Sequence, residues 1–230
     1  MHINLRPTLA HFLVALGLLG LVWHTPLPAV AESAPSAREL VIGTSEQLVS
    51  ALQEDQEAIK QDMGKAYELA EATVMPHLDF PRITRWVLGR HWRTATDEQR
   101  ERLTSEFRTL LTRSYVSAMV TYVDQILQHA DNVEFPLNRS RQDEDSAAVT
   151  MLIRQESGQP VAVQYQMYLS DAGWKIYDVQ VEGISLALTY RSTFSQEIAR
   201  DGIDGLIATL AERNQKSVRE PLPNLAPAAP

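Results

Sequence analysis

Between Leu103 and Tyr122 the apolar residues return every three or four positions: Leu103, Phe107, Leu110, Leu111, Tyr115, Ala118, Met119 and Tyr122. That spacing predicts a long amphipathic helix with Arg100, Arg102 and Arg108 on its wet side. Thr96-Asp97-Glu98-Gln99 supplies its start, a capping box in which hydroxyl and amide each satisfy a free backbone donor. Upstream the pattern is also helical. Leu48, Leu52 and Ile59 are the expected buried positions of a stretch from Arg38 to about Asp62, with interruptions at Gly43 and Gly64. Ala66, Tyr67, Ala70 and Val74 form a further face ended by Pro76. Asp79 caps a short helix that tolerates Pro81 in its first turn, turns Ile83, Trp86 and Val87 inward, and closes at Gly89.

After Ile126 the period shortens to two. Asn132 to Asn138 reads as a first strand, Val149, Met151 and Ile153 alternate in a second, and Val161, Val163, Tyr165, Met167 and Leu169 alternate in a third. In the fourth, Trp174 to Glu182, Tyr177, Val179 and Val181 share a face while Trp174 and Ile176 fall out of phase. Either a bulge or burial of both faces accounts for that. Short turns such as Ser157-Gly158-Gln159-Pro160 between successive strands make an antiparallel meander. Gly183 stops the last strand, Ser185 caps a helix carrying Leu186, Tyr190, Phe194 and Ile198, and Gly202 ends it. Asp204 then caps a final helix with Leu206, Ile207 and Leu210. Helices, a meander of about four strands, then helices again give an α+β domain with helices packed on one curved antiparallel sheet.

Composition trims this picture at both ends. Phe12 to Trp23 is an uncharged apolar run behind Arg6, and Ala29-Val30-Ala31 is a small-x-small cleavage site. Residues 1–31 therefore read as a signal peptide, being too short in their apolar run for the roughly 20 residues that span a bilayer. Residues 32–216 form the folded domain, and 217–230 (SVREPLPNLAPAAP from Ser217) a disordered Pro/Ala-rich tail. The chain has no cysteine, which removes disulfides, thiolate metal sites and cysteine nucleophiles. Its net charge of −8 disfavours nucleic acid and anionic bilayers as partners. An exported chain of this kind belongs in a periplasm.

Candidate chemistry is sparse. Gly183-Ile184-Ser185-Leu186-Ala187 resembles a degenerate nucleophile elbow, but the setting is antiparallel and no histidine follows His129. His77, His91 and His129 form no zinc-type spacing. Asp178 and Glu182 alternate on one strand edge, where a solvated face is the simpler reading than paired carboxylates. What remains is an apolar sheet face, and periodicity does not separate a filled core from a hollow one.

The residues nevertheless resemble a known family. Asp79-Phe80 through Leu88-Gly89, Trp92 and the helix TDEQRERLTSEFRTLLTRSY are similar to the periplasmic MlaC/toluene-tolerance family. So are the successive motifs LGxxWxxAT, WxxYDVxVEGISL and GIDGL, the last spanning Gly202 to Leu206, with Tyr190-Arg191-Ser192 and Phe194 between them. The resemblance spans roughly Leu40 to Arg213. It implies an NTF2-like cone with an apolar cavity, a soluble monomeric phospholipid carrier, and exchange with an inner-membrane ABC transporter complex and an outer-membrane lipoprotein complex. It also implies a part in outer-membrane lipid asymmetry, the Mla pathway, with no cofactor, no metal and no catalytic residue.

On that implication the acyl tails should lie against Val149, Met151, Val163, Tyr165, Met167, Val179 and Val181, covered by Tyr115, Met119 and Leu188, with glycerophospholipid as cargo. Two other classes compete. One is a small NTF2-like enzyme acting on an apolar ligand in the same pocket through Asp178 or a tyrosine; the other is a periplasmic adaptor with a filled core.

Overall fold

The structure, a computed structural model, describes residues 35–155 and 158–215. The expected signal peptide at 1–31 and the Pro/Ala-rich tail at 217–230 lie outside the described residues. Helix α1 (Ala37–Glu54) begins where Ser36 and Glu39 cap each other's backbone. Gly43 stays inside it, because an exposed glycine costs a helix only about 1 kcal/mol and does not break it. The real interruptions fall at Asp55 and Asp62, between α1, α2 (Gln56–Gln61) and α3 (Met63–Thr73). Leu52, Ile59, Ala66 and Ala70 pack there against Val116 and Val123. Pro76 ends this region in a 3₁₀ turn, Met75–His77.

Helix α4 (Phe80–Leu88) starts at Asp79, whose carboxylate accepts the Arg82 N–H at 2.9 Å, and ends at Gly89. Ile83 and Val87 turn inward, but Trp86 does not. It is 44% exposed, because the helix buries the stripe Phe80, Ile83, Thr84 and Val87 and position 86 lies off that stripe. A short α5 (Arg90–Thr94) leads to α6 (Asp97–Thr121), which carries the expected Thr96–Gln99 capping box, and then to α7 (Val123–His129).

One antiparallel sheet follows, six-stranded among the described residues. It runs in the order β1 (Val133–Glu134), β3 (Ser146–Ile153), β4 (Val161–Ser170), β5 (Gly173–Val181), β6 (Ile184–Ser185), with β2 (Arg141–Gln142) also on β3. The first strand is much shorter than its sequence promised, since Pro136 lacks an N–H for the ladder and Leu137–Arg139 turns into 3₁₀. Two further strands are new: β2 and β6 are two residues each. Val181 pairs with Ile184 across Glu182 and Gly183, both at positive φ (50° and 78°). That is the twist a two-residue hairpin requires, and it folds the chain back on β5 instead of releasing it to a helix.

The last helix, α8 (Thr189–Gln215), therefore begins three residues later than Leu186. It bends at Gly202 (φ 74°, ψ −178°), a backbone shape open almost only to glycine. Asp204 accepts from Gln99 Nε2 at 3.1 Å, tying the second limb to the start of α6. The largest core joins α4, α6 and α8 through Ile83, Val87, Phe107, Phe194, Ile207 and Leu210. Phe107 meets Tyr190 and Phe194 edge-on, each pair of ring centroids 5.1 Å apart.

A bulge in β5 settles the phase of the fourth long segment. Gln166 pairs with Asp178 but Met167 with Ile176, so Tyr177 is the extra residue. Beyond it Ile176 and Trp174 rejoin the face of Val179 and Val181, and Tyr177 leaves it. Cross-strand rows on that face run Ala147–Met167–Ile176, Val149–Tyr165–Val179 and Met151–Val163–Val181.

Candidate functional site

A cavity of about 220 Å³ lies between this sheet face and its covering elements. Tyr165, Ile176 and Val179 form the sheet wall. Phe80 and Ile83 of α4, Leu111, Thr112 and Tyr115 of α6, and Val74, Met75 and Leu78 close it from other sides. Leu186 and Ala187, in the turn before α8, complete the wall with Tyr177 and Asp178. The bulge is what brings Ile176 in. Its carbonyl accepts the Asp79 N–H at 3.0 Å, so the start of α4 is pinned to the same point of β5. Lys175 Nζ, donating to the Pro76 carbonyl at 2.6 Å, fixes the 3₁₀ turn alongside.

The polar groups in this wall are held in place by one another. Asp178, expected on a solvated face, is 4% exposed. The hairpin brings Ser185 over it, and its carboxylate accepts from Ser185 Oγ at 2.7 Å and Gln180 Nε2 at 3.3 Å. Ser185 Oγ in turn accepts the Leu188 N–H at 3.0 Å, the capping role expected of it but one turn ahead of the helix. The serine's proton is thus aimed at a carboxylate that ties hairpin to strand.

Tyr165 donates to Met151 Sδ at 3.8 Å, and burial pushes its phenol up to about 12. Tyr115 is 36% exposed, yet the protein around its phenol also raises its pKa, through burial first and then Tyr190 and Asp178 nearby. Both rings stay neutral at ordinary pH and add apolar wall. Among the described residues no group of three or more His, Asp or Glu could hold a metal ion, and no helix is long and apolar enough to cross a membrane.

Of the residues singled out from the sequence, Tyr115, Tyr165 and Val179 line the cavity together. Val149 and Met167 share the sheet face but pack under α1 against Ala37 and Val41, Met167 being fully buried. Met151, Val163 and Val181 form the next row of the same face. Met119 packs in the cluster of α1, α3 and α7, and Leu188 sits in the turn before α8. Phe80, Ile83, Leu111, Ile176 and Ala187 were not singled out. Periodicity marked Ile83 and Leu111 as buried, and nothing in a periodic pattern says whether the neighbour is a side chain or a void.

Fold and cavity together define an α+β domain that keeps an apolar-lined pocket between one antiparallel sheet and the helices over it. The family model described as "MlaC protein" matches residues 43–212. The chain belongs to the MlaC family. It is 26% identical over 213 residues to the toluene tolerance protein ttg2D of Pseudomonas putida, covering 89% of this chain and 94% of that one. It is 24% identical over 197 residues to the intermembrane phospholipid transport system binding protein MlaC of Haemophilus influenzae, covering 84% and 86%. The phospholipid-binding protein of Ralstonia solanacearum, solved in complex with a phospholipid, superposes with a TM-score of 0.65 at 29% identity. That match covers 78% of this chain and 97% of the other.

Proposed function

We propose that this protein is a periplasmic phospholipid carrier that moves lipid between the inner and outer membranes. The observation that supports it best is the apolar cavity, in a chain whose family includes a solved relative holding a phospholipid. Taking a two-chain lipid from a bilayer into water exposes methylenes at about 0.8 kcal/mol each, on the order of 20 kcal/mol in all. A carrier must replace most of that contact with its own apolar wall and still release the cargo. Phenylalanine, leucine, isoleucine and valine side chains do this without a directional bond, so docking partners need shift the balance only slightly. In this reading the partners are an inner-membrane ABC transporter complex and an outer-membrane lipoprotein complex, and the carrier works as a monomer in the Mla pathway of outer-membrane lipid asymmetry.

A volume of about 220 Å³ is below the roughly 300–1,000 Å³ of ordinary ligand sites. Loading two acyl chains therefore parts the covering elements from the sheet. Tyr115, Tyr165 and Val179 take the first length of tail, and the next row of the same face, Met151, Val163 and Val181, takes the rest, while Val149 and Met167 stay packed under α1. Protein purified from a membrane-containing host and extracted with organic solvent should release diacyl phospholipid near one per chain, read by mass spectrometry. A polar metabolite in its place would favour catalysis in the pocket; an empty extract would favour an adaptor.

A further inference from the structure

One wall of the cavity is a single thickness of chain. Leu186 and Ala187 line it from the segment that joins the β5–β6 hairpin to α8. Within residues 183–188 only Ala187 is buried, and Ile184 is 63% exposed. Both ends of this segment are anchored elsewhere. Glu182 gives its N–H to the Ala162 carbonyl at 2.9 Å, and its carboxylate accepts the Ala162 N–H. At the other end Arg191 donates to the carbonyls of Trp86 and Val87, which holds the first turn of α8 on α4. Between the anchors Gly183, at φ 78°, is the natural hinge, since glycine passes between positive and negative φ at little cost.

What holds the segment to the sheet is short and polar. β6 pairs with β5 through two residues, at the edge of the sheet. The Leu186 N–H donates to the Val179 carbonyl at 2.8 Å, and Ser185 Oγ donates to Asp178 at 2.7 Å. The turn itself is a poor one. Glu182, at φ 50°, is the one non-glycine residue at positive φ among the described residues, in a place that asparagine, aspartate or glycine fills more easily. Asp178 is buried, and among the described residues no lysine or arginine pairs with it. A carboxylate held by two neutral donors, Ser185 and Gln180, gives up hydration that they only partly replace. Lifting Ser185 away breaks its bond but returns water to the carboxylate, so the cost of opening is offset where it arises. The other irregular wall, the 3₁₀ turn, has no comparable buried charge; the Leu78–Ile176 bridge and the Asp79 N–H tie it to β5.

We propose that residues 183–188 are a flap over the cavity, latched by the Ser185 hydroxyl on Asp178, and that releasing this latch opens the path by which lipid enters and leaves. The inference rests on the carrier reading and adds to it the point of passage. Peeling β6 from the sheet edge lifts Leu186 off the cavity and uncovers, of buried side chains in the segment, only the Ala187 methyl. Ile83, Phe107 and Phe194 stay packed, so the main core is not spent on the movement. The other covering elements part once a tail is inside. Asp178 and Ser185 are positioning residues in this scheme: they set how fast the cavity opens and leave its capacity alone.

The test uses the full chain, stripped of lipid and mixed with vesicles of equimolar phosphatidylethanolamine and phosphatidylglycerol carrying a trace of pyrene-labelled phosphatidylglycerol. Pyrene fluorescence follows the rates of uptake and release, and mass spectrometry gives lipid per chain at saturation. In Ser185→Ala both rates should rise by about tenfold, the worth of one hydrogen bond to a charged group, with lipid at saturation unchanged. The chain has no cysteine, so Gln180→Cys/Ser185→Cys places a lone pair of thiols in the hairpin. These two positions are partners across β5 and β6. The Leu186–Val179 bond makes theirs the non-hydrogen-bonded pair, with Cα atoms about 4.5 Å apart and within reach of a disulfide. Oxidised, this variant should exchange lipid about tenfold or more below the wild-type rate; reduced, it should exceed that rate. Groups that merely support the fold would lower the denaturation midpoint and leave the oxidised and reduced rates equal. A Ser185→Ala rate equal to the wild type's, equal rates in the two redox forms, or thiols that fail to pair each overturn the flap and leave the carrier standing. No lipid taken up by the wild type removes the carrier and this inference together.

Discussion

The inner face of the sheet behaves as two different materials. Under α1, Ala147, Val149, Met167 and Trp174 are buried in one cluster with Ala37 and Val41. Across the same rows toward β5, Tyr165, Ile176 and Val179 border a void below α4 and α6. The residue types are alike, branched, aromatic and flexible apolar side chains on the same strands. The difference lies in what stands opposite: a helix capped at Ser36 lies directly on the first region, whereas α4 is tethered at its Asp79 end to Ile176 and α6 spans the opening. Alternating apolar residues make a wall either way, and the tether decides whether it encloses a void.

Perturbing each half separately should separate stability from binding. Met167→Asp would place a carboxylate with no partner in the packed half and should unfold the protein, by several kcal/mol, measured by chemical denaturation. Val179→Trp in the hollow half should do the reverse. Its ring takes up space meant for a tail, so bound phospholipid should drop by about tenfold or more while the melting temperature moves little. Equal losses of stability in the two variants would erase the distinction.

Asp178→Ala would leave the Ser185 hydroxyl and Gln180 amide without an acceptor between the two halves and the hairpin. It should cost about 1–3 kcal/mol, seen as a lower denaturation midpoint. Alkaline titration sharpens the comparison further. The Tyr165 phenol is pushed up to about 12 from an ordinary 10.0. A raised pKa in the fold means stability fully present below pH 10 and lost as pH climbs toward 12. Tyr165→Phe should flatten that loss, followed by circular dichroism across the same window. The smallest effect belongs to Thr96→Ala, which removes a cap far from either half and should cost about 1 kcal/mol with lipid content unchanged.

The elements marked by regular periodicity were legible from the chain: α6 with its Thr96 box, the alternation of β3 and β4, the stop at Gly202. Irregular places were not. Glu182 and Gly183 read as a strand end, but with both residues at positive φ they form a hairpin that buries Asp178 and delays α8 to Thr189. Trp86 fitted an inward face and instead stands exposed on α4, off its buried stripe. Tyr115, Tyr165 and Val179 were placed on the cavity wall because the family resemblance implied a cavity behind an in-phase apolar face; Ile176 was missed because only pairing with β4 shows that Tyr177 is skipped.

The chain alone determined which residues leave water and in what rhythm, because side-chain burial follows the 3.6- and two-residue periods of helix and strand. It also carried, in its motifs, the family to which it belongs. Where the void lies was decided only in three dimensions. A cavity is a property of opposing surfaces, set here by one extra residue in β5 and one backbone bond from Asp79 to Ile176, and neither leaves a mark on hydrophobic order.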